Sequence, residues 1–178
     1  IGSGFGGSFV HNKKVVEGVN QVAGDWGHQP LPYPSKEEWD LNLKCPVDNC
    51  GRPLCAEQFI SGIGFTNIFN RKYKTNFTTK EIVDLELNGD ERAKKEFDLY
   101  EDRFARLIAV MIGIVDPDVI ILGGGMSNIE RLYSNIPKLL PKYTFSDKVR
   151  NKILRNTHGD SSGCLLYTSD AADEQQRG

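Results

Sequence analysis

Two hydrophobic periods alternate along the chain. Residues 6–18, GGSFVHNKKVVEG, switch between apolar and polar positions around Asn12-Lys13, which predicts a β-hairpin. Asn20 to Pro34 is rich in Gly and Pro and reads as a loop. Ala56 to about Lys72 predicts a helix whose middle is weakened by Gly62 and Gly64. Thr78 and Glu81 have capping-box spacing and open a short helix that stops near Asn88-Gly89. Asp90 caps the longest helix, in which Ala93, Phe97, Tyr100, Phe104, Leu107, Met111 and Val115 form one stripe at steps of three or four. That stripe is core rather than a cofactor site, and Asp116-Pro117 ends it. Val119 to Leu122 is a short, fully apolar run of the kind found in buried parallel strands. Ser127 and Glu130 then have the spacing of a second capping box that opens a helix.

Composition narrows the class. The chain has 178 residues, 39% apolar and 26% charged, enough for one sizeable core or one lobe of a larger protein. A net charge of -2 argues against bulk nucleic-acid or acidic-membrane binding. No apolar run reaches the roughly 18 residues needed to span a bilayer, and no basic-then-apolar signal opens the chain. A cytoplasmic, reducing compartment is the expectation, where clustered cysteines lean towards metal or catalysis. The opening IGSGFGGSFV reads as the middle of a strand-turn-strand unit, so further chain is expected before Ile1. CLLYTSDAADE, from Cys164, has no fitting periodicity and resembles a translated sequencing adapter. Residues 164–178 are therefore set aside as a non-native tail, the alternative being a genuine polar tail.

Two glycine-rich turns carry candidate chemistry. Gly123, Gly124 and Gly125 sit between a strand and a helix start, where backbone can approach a ligand and free N–H groups favour phosphate or ribose oxygens. Gly2 to Gly7 is a second such turn, to which Ser3 adds a hydroxyl. Purely structural turns are the alternative for each. Three of the four cysteines, Cys45, Cys50 and Cys55, are spaced C-x4-C-x4-C. Tetrahedral zinc needs four ligands, and His28 is the nearest fourth. Such a closed set is structural rather than catalytic, since no position is left for water. Asp48 could replace Cys45, and inert buried cysteines are the alternative.

IGSGFGGSFVHNKKVVEGVNQVAGDWGH, CGRPLCAEQFISGIGF, DPDVIILGGGMSN and HGDSSG together resemble the ROK family of repressors and sugar kinases, over residues 1 to about 163. Within it the chain looks closest to bacterial fructokinase and mannokinase-type members. The resemblance implies an α/β, actin-like and hexokinase-like (ribonuclease H-like) fold, of which this chain is the C-terminal lobe of a two-lobed kinase. By position, Gly2, Ser3, Gly4 and Gly7 match the loop that cradles ATP phosphates, although the family more often has Thr at Ser3. Gly123, Gly124 and Gly125 match the adenosine-lining segment. Asp25, His28 and Glu57 match sugar-contacting residues, and His28, Cys45, Cys50 and Cys55 match the structural zinc ligands, with the metal stapling residues 28–55 beside the sugar. Two departures stand out: Asp48 occupies the place of the first family cysteine, and Asp25 replaces the usual Glu.

The resemblance further implies Mg²⁺, a homodimer, and transfer of the ATP γ-phosphate to the 6-hydroxyl of a hexose, with fructose first. The general base and first phosphate loop are expected in the other lobe, so the fragment alone is expected to be inactive. A sugar-sensing transcriptional repressor of the same family is the alternative.

Overall fold

The structure, a computed structural model, describes residues 1–41, 43, 50–146 and 148–157. Cys45, Asp48, the HGDSSG motif and residues 164–178 lie outside the described residues.

The hairpin forms as the alternation predicts. Strand β1 (Val10–His11) pairs antiparallel with β2 (Lys14–Val15). Asn12 and Lys13 both take positive φ, the two-residue turn that matches strand twist. Helix α1 (Lys36–Asp40) is an element the sequence reading missed. Ser35 caps it, and Glu38 returns the bond to the Ser35 N–H.

The helix predicted from Ala56 to Lys72 is instead two helices, α2 (Glu57–Ile60) and α3 (Gly62–Tyr73). The break is tertiary in origin. Ser61 is extended and caps Gly64 N, while Gly62 N donates to Gly2 O at 2.8 Å. The amide at the helix start thus holds the first glycine loop.

Helix α4 (Thr79–Leu87) carries the reciprocal Thr78–Glu81 capping box, and α5 (Glu91–Val115) starts at the Asp90 cap. The predicted stripe is buried from Ala93 to Met111, and Val115 is half-buried. Around it Phe65 packs against Phe97 with the rings tilted by 36° and their centres 4.6 Å apart. Phe5 meets Phe104 edge-on at 5.9 Å, which anchors the first glycine loop to α5.

Strand β3 (Val119–Leu122) pairs in parallel with β4 (Lys152–Arg155), across helix α6 (Arg131–Leu139). The strand is less buried than its apolar run implies. Leu122 is covered, whereas Ile121 is 65% exposed: Val119 and Ile121 point to the strand face that stays exposed among the described residues, and Ile120 and Leu122 to the opposite one. The second predicted capping box does not form. Ser127 donates its hydroxyl to Gly124 O, residues 125–128 make a single 3₁₀ turn, and Glu130 pairs with Arg155. The helix starts later, at Arg131, because the Ser127 side chain is engaged by the glycine turn.

A candidate nucleotide and sugar site

Both glycine turns meet at one end of β3. Ile1 N donates to Gly123 O at 2.6 Å, and Met126 N donates to Ile1 O at 3.1 Å. Gly124 has φ +79°, and a Cβ there would stand 2.4 Å from Ile1 O. Only glycine allows this approach. Asn156 closes the corner from β4: its side-chain amide donates to Leu122 O and to the Ser127 hydroxyl. Of the residues predicted for nucleotide binding, Gly2, Ser3, Gly4 and Gly7 therefore lie on one strap, and Gly123 to Gly125 on the turn against it. A cavity of about 820 Å³ runs along β3 between these turns and the hairpin, floored by Ile108 and Met111.

The Asp25–His28 loop folds against the same strap. Gly7 N donates to Gly24 O at 3.0 Å. At Gly27 a Cβ would lie 2.0 Å from Phe5 O, so the two loops touch backbone to backbone. On its other side the loop is laced to residues 52–57. Glu57 N donates to Gly27 O, Ala56 N to Gln29 O and Leu31 N to Leu54 O, at 2.7–2.9 Å. Arg52 adds a bond to His28 O.

Glu57 opens α2 and is only 6% exposed. Its Oε2 accepts from Phe5 N at 2.9 Å. Its Oε1 is buried and has no hydrogen-bond partner among the described residues. A buried oxygen of this kind costs free energy unless something fills it, which marks a position for a hydroxyl donor. Asp25 is half-buried on the adjoining loop.

The His28, Cys50 and Cys55 ligand atoms lie within 4.8 Å of one another, with Cys55 Sγ 3.5 Å from His28 Nδ1. Two thiols and an imidazole suit zinc by ligand chemistry, so these three residues fit the metal. Cys45, predicted as the fourth donor, is not among the described residues. Sequence reasoning brought out the residues of each loop. It did not bring out the Ser61–Gly62 seat under Gly2 or the bond of the Phe5 amide to Glu57, since both tie a backbone amide to a distant segment.

A sequence model described as the ROK family matches residues 1–166. The N-acetyl-D-glucosamine kinase of Photobacterium profundum is 35% identical over 166 residues, which cover 92% of this chain and 54% of that protein. This chain thus spans about half the length of the curated relatives it matches. Among solved structures, a ROK family glucokinase from Streptomyces griseus in complex with glucose and AMPPNP superposes with a TM-score of 0.76 at 20% identity, over 92% of this chain and 55% of that one. A ROK family transcriptional regulator superposes at 0.68 and 17% identity, over 87% and 40%. The fold is that of the hexokinase-like members.

Proposed function

The chain belongs to the ROK family, and from that premise we propose that it forms the C-terminal lobe of an ATP-dependent hexose kinase. The observation that carries this reading is Glu57: a buried carboxylate with one oxygen on the glycine strap and the other without a partner among the described residues. Such a group suits a sugar hydroxyl held next to bound phosphates.

In this reading the strap of Gly2 to Gly7 cradles the ATP phosphates, and Gly123 to Gly125 line the adenosine. Asp25 and Glu57 accept from sugar hydroxyls, and His28 adds a further polar contact. Phosphoryl transfer depends mostly on positioning and on stabilising charge on the transferred group. This lobe supplies position: strap, turn and sugar loop are fixed to one another by backbone hydrogen bonds. Mg²⁺, when bound, neutralises phosphate charge. The general base that takes the proton of the 6-hydroxyl belongs to the partner lobe, and so does the first phosphate loop. Zinc held by His28, Cys50, Cys55 and Cys45 fixes the sugar loop from behind, and the enzyme works as a homodimer.

The named relatives support N-acetyl-D-glucosamine as the first substrate to try, ahead of the fructose expected from sequence resemblance. The test is an ADP-release screen on the two-lobed enzyme over N-acetylglucosamine, N-acetylmannosamine, fructose, mannose and glucose. Saturable turnover with N-acetylglucosamine best is the expected result. Fructose best would restore the sequence expectation. A second reading, a sugar-sensing repressor, draws on the structural likeness to a ROK transcriptional regulator. It replaces the first if no hexose turns over while the full-length protein binds a specific DNA duplex.

A further inference from the structure

We propose that Glu57 is a positioning residue for the phosphate strap as well as a sugar ligand, so that one carboxylate couples the two substrate sites. The inference rests on the kinase reading above and goes beyond it. Its ground is the division of labour between the two oxygens: Oε2 accepts from Phe5 N at 2.9 Å, and Oε1 has no partner among the described residues.

The strap needs such an anchor. Gly2, Gly4, Gly6 and Gly7 offer no side chains with which to hold it. Among the described residues its ties include the Phe5 ring on Phe104, the backbone bonds of Gly2 to Gly62 and of Gly7 to Gly24, the Ile1 bonds to the second glycine turn, and, last, the Phe5 amide on Glu57. Only the last of these runs to a side chain that also faces the proposed sugar position. Phe5 is buried, so its N–H has no recourse to water when the carboxylate leaves. A sugar hydroxyl donating to Oε1 fixes the carboxylate, and a fixed carboxylate fixes the amide at the centre of the strap. By linkage, nucleotide binding must then tighten sugar binding by the same factor. Were Glu57 a sugar ligand alone, nucleotide affinity without sugar would not depend on it.

The test is calorimetric titration of the two-lobed enzyme with AMPPNP in the absence of sugar, for wild type, Glu57→Gln and Glu57→Ala, with zinc content and thermal transition as controls. Glutamine keeps an acceptor for Phe5 N, and alanine removes it. Loss of a buried acceptor bond predicts nucleotide binding weakened about five- to tenfold in Glu57→Ala and within about twofold of wild type in Glu57→Gln. Sugar binding should weaken in both. Nucleotide affinity unchanged in Glu57→Ala overturns the inference and leaves the kinase reading standing. An equal loss in both variants also overturns it, because the acceptor is then not what matters. A wild-type enzyme that binds no nucleotide takes down both. If Glu57→Ala does not fold, amide exchange at Phe5 in the wild type decides: it slows when sugar alone is added, and no change overturns the proposal.

Discussion

Arg106 grips Glu38 from 68 residues away: Nη2 donates to Oε1 at 2.6 Å and Nη1 to Oε2 at 3.2 Å, both in the core. Arg103 adds a bond of 2.8 Å to the same Oε1, and Arg106 also holds the carbonyls of Pro32 and Tyr33. In this way α5 grips the segment that leaves the Asp25–His28 loop. Removing one partner from a buried pair leaves a charge uncompensated, so Glu38→Ala should cost about 3–5 kcal/mol. Denaturant unfolding would read it as a lower midpoint with an unchanged slope.

Acid should act through the same residue. Burial alone pushes the Glu38 carboxyl upward, but the hydrogen bonds from Arg106, Arg103 and Ser35 N, together with the Arg106 charge, outweigh it and hold the carboxyl below its ordinary range. A depressed folded value means that the stabilisation is present above the unfolded carboxyl pKa of about 4.3 and is lost as pH falls through the folded value. Wild-type stability should therefore fall in that acid window, and Glu38→Gln should flatten this part of the profile. An unchanged slope in Glu38→Gln would count against it.

Gly27 and Gly113 make a matched pair. Alanine at Gly27 would set a Cβ 2.0 Å from Phe5 O and force the strap and the Asp25–His28 loop apart, whereas Gly113 lies within α5 with nothing within 4 Å of such a Cβ among the described residues. Gly27→Ala should weaken sugar and nucleotide binding together, on the order of tenfold or more each, since the displacement is shared. Gly113→Ala should be stabilising by about 0.5–1 kcal/mol through helix propensity. Titration and thermal melting, run on both variants, separate the two effects.

The metal is tested by content and by bond type. About one zinc per chain is expected after purification under reducing conditions, with three sulfurs and one nitrogen around it by X-ray absorption. Two sulfurs with an added oxygen would transfer the fourth place from Cys45 to Asp48. A content below about 0.2 per chain would rule the site out. Chelation should loosen the His28 loop first, seen as lost sugar affinity before global unfolding.

How much was readable in advance depended on the range of the cause. The Asn12-Lys13 hairpin, the Thr78 and Asp90 caps and the α5 stripe rest on local chemistry, and each appears where its pattern put it. The break at Ser61 rests on distant backbone, Gly2, and the Ser127 hydroxyl is engaged both by the Gly124 carbonyl and by Asn156, which follows β4. Helix α1 has five residues, too few to show a period, although Ser35 and Glu38 carried the capping signal. In the site, Glu57 stood out only by family resemblance. Neither its link to Phe5 nor its oxygen without a partner among the described residues leaves a mark in composition or spacing.

The one-sided pairing of β3 among the described residues bears on how this chain behaves in a test tube. A strand with a bare row of amides and carbonyls, beside an 820 Å³ trough and carrying an exposed Ile121, is a template for other strands. Expressed alone, the 178 residues should self-associate edge to edge as concentration rises. Ile121→Lys should raise the soluble yield while leaving the circular dichroism of the monomer unchanged, because that side chain faces solvent rather than core. Light scattering on both proteins would tell, and equal aggregation would point to another sticky surface.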